Sequence, residues 1–220
     1  CDFIILVDNT NLEFYRAVDR SGRELSSQEI LAMILHMIML PGDGEIYRRI
    51  TVSDLVTYER ATKIVHFTPC LALAHSLRIY GSLTAVLDSA FQRALSTFDP
   101  DKALFSYLIL RISKSIGDKM RYEDLLGQCD RWRKERLPNN YISYFGLSIM
   151  EDLTDKVDAL LLIGGYPLEP ELKRLKEAYL RVKESSTISP SELEAVDATY
   201  DDYEYNLKSV QQSAIRRGGL

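Results

Sequence analysis

Cys70-Leu71-Ala72-Leu73-Ala74-His75-Ser76-Leu77 is the stretch on which the fold turns. Read at helical spacing it is apolar nearly all round, the pattern of a helix enclosed by other helices. Arg78, Asp88, Gln92 and Arg93 restore a polar face further along. The spacing predicts a central core helix from Cys70 to Thr97, opened by Thr68 as N-cap and Pro69 as the first helical residue.

Helical readings extend outward on both sides. Ser26-Ser27-Gln28-Glu29 offers a capping box to a helix that stops at Pro41-Gly42, and residues 53–67 place Leu55, Tyr58, Thr62 and Val65 at helical intervals. Asp99-Pro100-Asp101 opens a helix that runs through Ser115 and breaks at Gly117. A shorter basic helix over 122–136 ends at Pro138-Asn139-Asn140. Only the beginning reads as β: residues 3–7 and 12–18 are β-rich and flank the turn-forming cluster Asp8-Asn9-Thr10-Asn11. The expected fold is all-α, a predominantly helical bundle with a short N-terminal β-hairpin. It comprises a helical core over 1–165 and a C-terminal αα-hairpin arm over 166–220.

The 220 residues, 46% hydrophobic, are enough to bury a sizeable core, and the net charge of -5 argues against generic attraction to nucleic acid or anionic lipid. Cys1, Cys70 and Cys129 are too scattered for a disulfide framework, which favours a reducing, cytoplasmic setting. The strongest apolar run, over 30–40, has His36 inside it and is too short to span a bilayer. An opening Cys in place of Met suggests a processed product or an excised fragment, with N-terminal lipidation as the lesser alternative.

Function is read from the carboxyl end. Leu193, Val196, Tyr200, Tyr203, Leu207, Val210 and Ala214 recur at intervals of three and four, between a capping signal at Ser189-Pro190-Ser191-Glu192 and a stop at Gly218-Gly219. Leu168, Leu172, Leu175, Tyr179 and Val182 form a second seam of the same period. Most simply the two zip in cis as an antiparallel hairpin. A helix over 190–217 would be about 42 Å long at 1.5 Å per residue, roughly twice its mate, so part of the seam is expected to remain for another polypeptide. The reading is a non-enzymatic assembly protein that self-associates or binds a helical partner through Leu193, Val196, Tyr200, Tyr203, Leu207 and Val210. The alternative is a nucleocapsid-type protein that holds single-stranded RNA with Arg131, Trp132, Arg133, Lys134 and Arg136, a basic cluster around the only tryptophan.

No cofactor, metal or catalytic residue is expected. His66, Cys70 and His75 supply imidazole and thiolate, but Cys70 and His75 diverge on a helix and a fourth ligand is missing. One resemblance bears on this. Ile4-Ile5-Leu6-Val7-Asp8-Asn9-Thr10-Asn11 and Ala159-Leu160-Leu161-Leu162-Ile163-Gly164-Gly165 are similar to the first strand, ending in an aspartate, and the late strand of PIN-type nucleases. The resemblance implies a buried strand over 157–163 and metal-dependent cleavage through Asp8. Tyr166 and Pro167 stand where that family's later carboxylates belong.

Overall fold

The computed structural model of the chain describes residues 4–39, 46–48, 66–184, 189–198, 200, 201, 204, 205 and 208. Cys70–Ser76 lies in a strand, and the fold is mixed α/β rather than an all-α bundle. Among the described residues six strands form one sheet in the order β1 (Ile4–Ile5), β3 (His66–Ser76), β6 (Lys156–Gly164), β4 (Phe105–Ser113), β5 (Ile142–Met150), β2 (Ile46–Arg48). Strand β3 runs parallel to β1 and antiparallel to β6, β6 is antiparallel to β4, β4 is parallel to β5, and β5 is antiparallel to β2.

The helical reading fails for a definite reason. A strand covered on both faces is apolar at every position, so it loses the two-residue alternation that marks a half-exposed strand. Leu71 and Leu73 pack on the face covered by α1 (Asn9–Phe14) and α2 (Ser27–Met39). Cys70 and Ala72 pack on the other, beneath α4 (Leu83–Gln92) and α6 (Tyr122–Arg136). Strand β4, expected as a helix, shows the same geometry, with Phe105, Tyr107 and Ile109 on one face, Leu108, Leu110 and Ile112 on the other, and all nine positions buried. The run over 157–163 is a buried strand within β6, as the PIN-type resemblance implies.

Two further expectations change. The N-terminal hairpin is replaced by β1 and α1, because the Asp8 carboxylate accepts the amides of Thr10 and Asn11 and so caps a helix where a turn was expected. The predicted 70–97 helix is reduced to α3 (Leu77–Tyr80) and α4, each capped by a serine: Ser76 accepts the Ile79 amide and Ser82 the Ala85 amide. Helix α2 starts with the reciprocal bonds of a capping box: the Glu29 carboxylate accepts the Ser26 amide at 2.9 Å, and the Glu29 amide donates to Ser26 Oγ at 3.3 Å. The helix expected over 53–67 lies outside the described residues except at His66 and Phe67, which open β3. A short helix, α5 (Lys114–Gly117), follows β4.

One rung of the sheet is polar. Arg111 in β4 is paired in register with Asp158 in β6 and with Ser148 in β5, and all three are buried. By strand alternation they share the face covered by α2, where Arg111 donates to His36 Nδ1 at 2.8 Å. Arg20 closes this rung from the turn at 19–22. Its guanidinium binds Asp158 at 2.9 Å and Asp152, donates to Ser113 Oγ at 2.9 Å, and reaches the Arg111 carbonyl at 3.0 Å. The end of β4, the start of β6 and the connection between β5 and β6 are thereby tied together by one side chain.

The chain divides into two compact units, residues 2–166, which contain the sheet, and residues 167–220 together with Cys1.

Candidate interaction site

The second unit contains helix α7 (Glu169–Glu184) and a terminal segment helical over 190–198 and at 200, 201, 204, 205 and 208. The start signal acts as expected: the Glu192 carboxylate accepts the Ser189 amide at 3.0 Å and its hydroxyl at 2.6 Å. The two helices zip in cis. Tyr179 and Tyr200 stack with centroids 4.1 Å apart and planes 12° from parallel. Tyr179 Oη donates to Asp197 at 2.7 Å, and Lys183 Nζ reaches the same carboxylate at 3.2 Å. These bonds hold the Asp197 carboxyl below the usual carboxylate range, that from Tyr179 first. Contacts 183 to 197 and 179 to 200 make the pair antiparallel.

The described residues of the terminal seam keep part of their surface open. Leu193, Val196 and Tyr200 are each only half-buried, and off the seams Leu180 is 43% and Tyr205 73% exposed. Tyr203, Leu207 and Val210 lie outside the described residues.

The basic cluster of α6 is bound to neighbouring carboxylates. Trp132 is buried and donates through Nε1 to Asp88 at 2.8 Å, and Arg136 forms a two-pronged pair with the same carboxylate at 2.8 and 2.9 Å. The Arg136 bond holds the Asp88 carboxyl low. Arg133 and Lys134 both bind Asp130 at 2.7 Å, and Arg131 remains exposed. The indole therefore offers no face to a base, and two carboxylates, Asp88 and Asp130, offset half of the cluster's four positive charges.

Catalytic groups are similarly committed. His75 is buried under Tyr80, with ring centroids 4.4 Å apart; its Nδ1 donates to the Leu73 carbonyl at 2.8 Å, and Ser89 Oγ donates to Nε2 at 3.0 Å. This His–Ser pair is anchored by a backbone carbonyl rather than a carboxylate, and Ser89 lies mid-helix in α4. Burial, with Arg93 adding to it, pushes the His75 pKa below 6.5. The sign is clear: the unfolded chain takes a proton near pH 6.5 and the folded one resists it. Stability is therefore expected to fall as pH drops below 6.5, at no more than about 1.4 kcal/mol per pH unit for one proton. Thermal melts of His75→Gln should show that slope flattened; an unchanged slope would assign it elsewhere.

Burial pushes the Cys129 thiol up to about 12 and the Cys70 thiol higher still, which keeps both in the neutral thiol form. Among the described residues no group of three or more His, Cys, Asp or Glu side chains is arranged to hold a metal ion. Asp8, the first residue of the PIN-type resemblance, is engaged as a helix cap.

The fold and this geometry define a mixed α/β unit over residues 2–166 and a second unit that contains an antiparallel helix pair. No model of a known protein family matches the chain, and no curated protein matches it in sequence. Among the described residues no helix is long and apolar enough to cross a membrane.

Proposed function

We propose that the protein is a non-enzymatic assembly module whose arm pairs with the arm of a second copy to make a four-helix bundle. One observation carries the reading: the seam residues Leu193, Val196 and Tyr200 remain half-open after the hairpin has closed on itself. Two helices cover one side of each other's apolar stripe, and four in a bundle cover both.

Charge supports a second copy as the occupant. Segment 192–204 carries six carboxylates and no base, whereas α7 carries five Lys and Arg residues against four glutamates. In a two-fold arrangement each acidic helix can face the basic helix of the other copy, which is the self-complementarity an isologous interface needs. Light scattering across a concentration series should show the mass rising from one chain to two. Leu180→Glu, at an exposed position, should hold the protein at the mass of one chain with unchanged helicity. A full-length chain that stays monomeric at high micromolar concentration removes this reading.

A further inference from the structure

We propose that a groove at the end of β3 binds a small organic phosphate, a phosphoryl group carried on a flat apolar body. The groove lies wholly within residues 2–166 and is open to solvent, with a volume of about 690 Å³, enough for a small molecule. Its lining includes three cations, Arg16, Arg93 and Lys156, against one carboxylate, Glu24, in a chain whose net charge is -5. A locally positive cleft on an acidic protein concentrates anions.

These cations are positioned without being neutralised. Arg93 donates to the Arg16 carbonyl and lies over the Tyr15 ring, 4.2 Å from its centroid. Lys156 Nζ donates to the Arg20 carbonyl at 2.6 Å. Carbonyl oxygens orient a cation but leave its charge in place, and among the described residues no carboxylate pairs with Arg93 or Lys156. Glu24 stands 3.7 Å from Arg16, with both side chains largely in solvent, where such a pair is weak. Net lining charge is therefore about two positive, which matches a phosphate dianion, and with Nη2 held by the Arg16 carbonyl the Arg93 guanidinium keeps Nε and Nη1 as donors for phosphate oxygens.

The rest of the groove suits the remainder of such a ligand. Tyr80 is stacked on His75 and 37% exposed, a rigid aromatic surface, and Ile79 beside it is 79% exposed. The groove also includes Ala74, whose φ of 52° is left-handed, a conformation uncommon for alanine. Its amide is held in place by the buried Asp158 carboxylate at 2.7 Å, at the irregularity between Ala72 and His75. Backbone kept in an unfavourable state by a buried anchor recurs at binding sites, where it presets the surface.

Calorimetric titration of the full chain tests this with adenosine monophosphate, phenyl phosphate, adenosine and inorganic phosphate as probes. At least one organic phosphate should bind ten-fold or more tightly than inorganic phosphate and than adenosine. Arg93→Gln should weaken it at least ten-fold. Ile79→Glu, which adds a negative charge at an exposed position without disturbing the core, should do the same at an unchanged melting temperature. The proposal is overturned if both organic phosphates bind no more tightly than inorganic phosphate, or if their affinity survives Ile79→Glu.

Discussion

Arg20→Ala is expected to destabilise the sheet-containing unit by about 3–5 kcal/mol, the range for leaving a buried charge without its partner. The residue sits in a turn and is partly exposed, so position alone suggests a mild effect. Its contacts argue otherwise. The guanidinium faces the buried Asp158 carboxylate and the half-exposed Asp152, and bridges to Ser113 and the Arg111 carbonyl. Removing it leaves Asp158 next to the apolar ladder of β6 with only the Ala74 amide as a donor from the described backbone. Denaturant titration should show a lower midpoint with the slope unchanged. Pairing Arg20→Met with Asp158→Asn should return part of the loss, since the amide oxygen still accepts from Ala74 while the unmatched charge is gone. A single-mutant cost below about 1 kcal/mol would place this network with ordinary surface ion pairs.

Gly164→Ala is the second large effect. A Cβ at this buried end of β6 would lie 2.6 Å from the His66 carbonyl oxygen and 2.7 Å from the Phe67 ring. The oxygen belongs to the neighbouring strand, so relief requires β3 and β6 to separate where Phe67 pairs with Gly164. A cost of about 3 kcal/mol is expected, at the upper end for overpacking. Gly127 provides the contrast: it lies within α6, and a Cβ there meets nothing within 4 Å. Gly127→Ala should instead stabilise by about 0.5–1 kcal/mol through helix propensity. Equal effects at the two sites would mean that the strand contact yields easily.

Parts of this protein were legible before folding was considered. Ser26 and Glu29 announce α2, Ser189 and Glu192 announce the terminal helix, and Tyr179 lies on a seam whose period the eye can follow. Each signal is local, made by groups three or four residues apart. The central strands were not legible. Phe105–Ser113 and Cys70–Leu73 are buried on both faces, so neither two-residue nor helical periodicity survives in them.

Candidate sites divide along the same line. Arg111 and Asp158 interrupt apolar runs, a signal visible in the sequence, but that they meet on one rung follows from the register of β4 on β6. The cluster at 131–136 read as free charge because Asp88, more than forty residues away, is no neighbour until α4 and α6 share a face of the sheet. The groove of Arg16, Arg93 and Lys156 draws on three distant segments in the same way.

Caps, helix starts and the seams of the arm were determined by the sequence itself, because their partners lie within a turn of one another. Strand or helix in the core, and which charges stand paired and which stand open, were decided only in the tertiary structure. Burial on both faces erases the periodicity that distinguishes the two states, and among the described residues the buried Arg111 and Asp158 take their side-chain partners, His36 and Arg20, from distant segments.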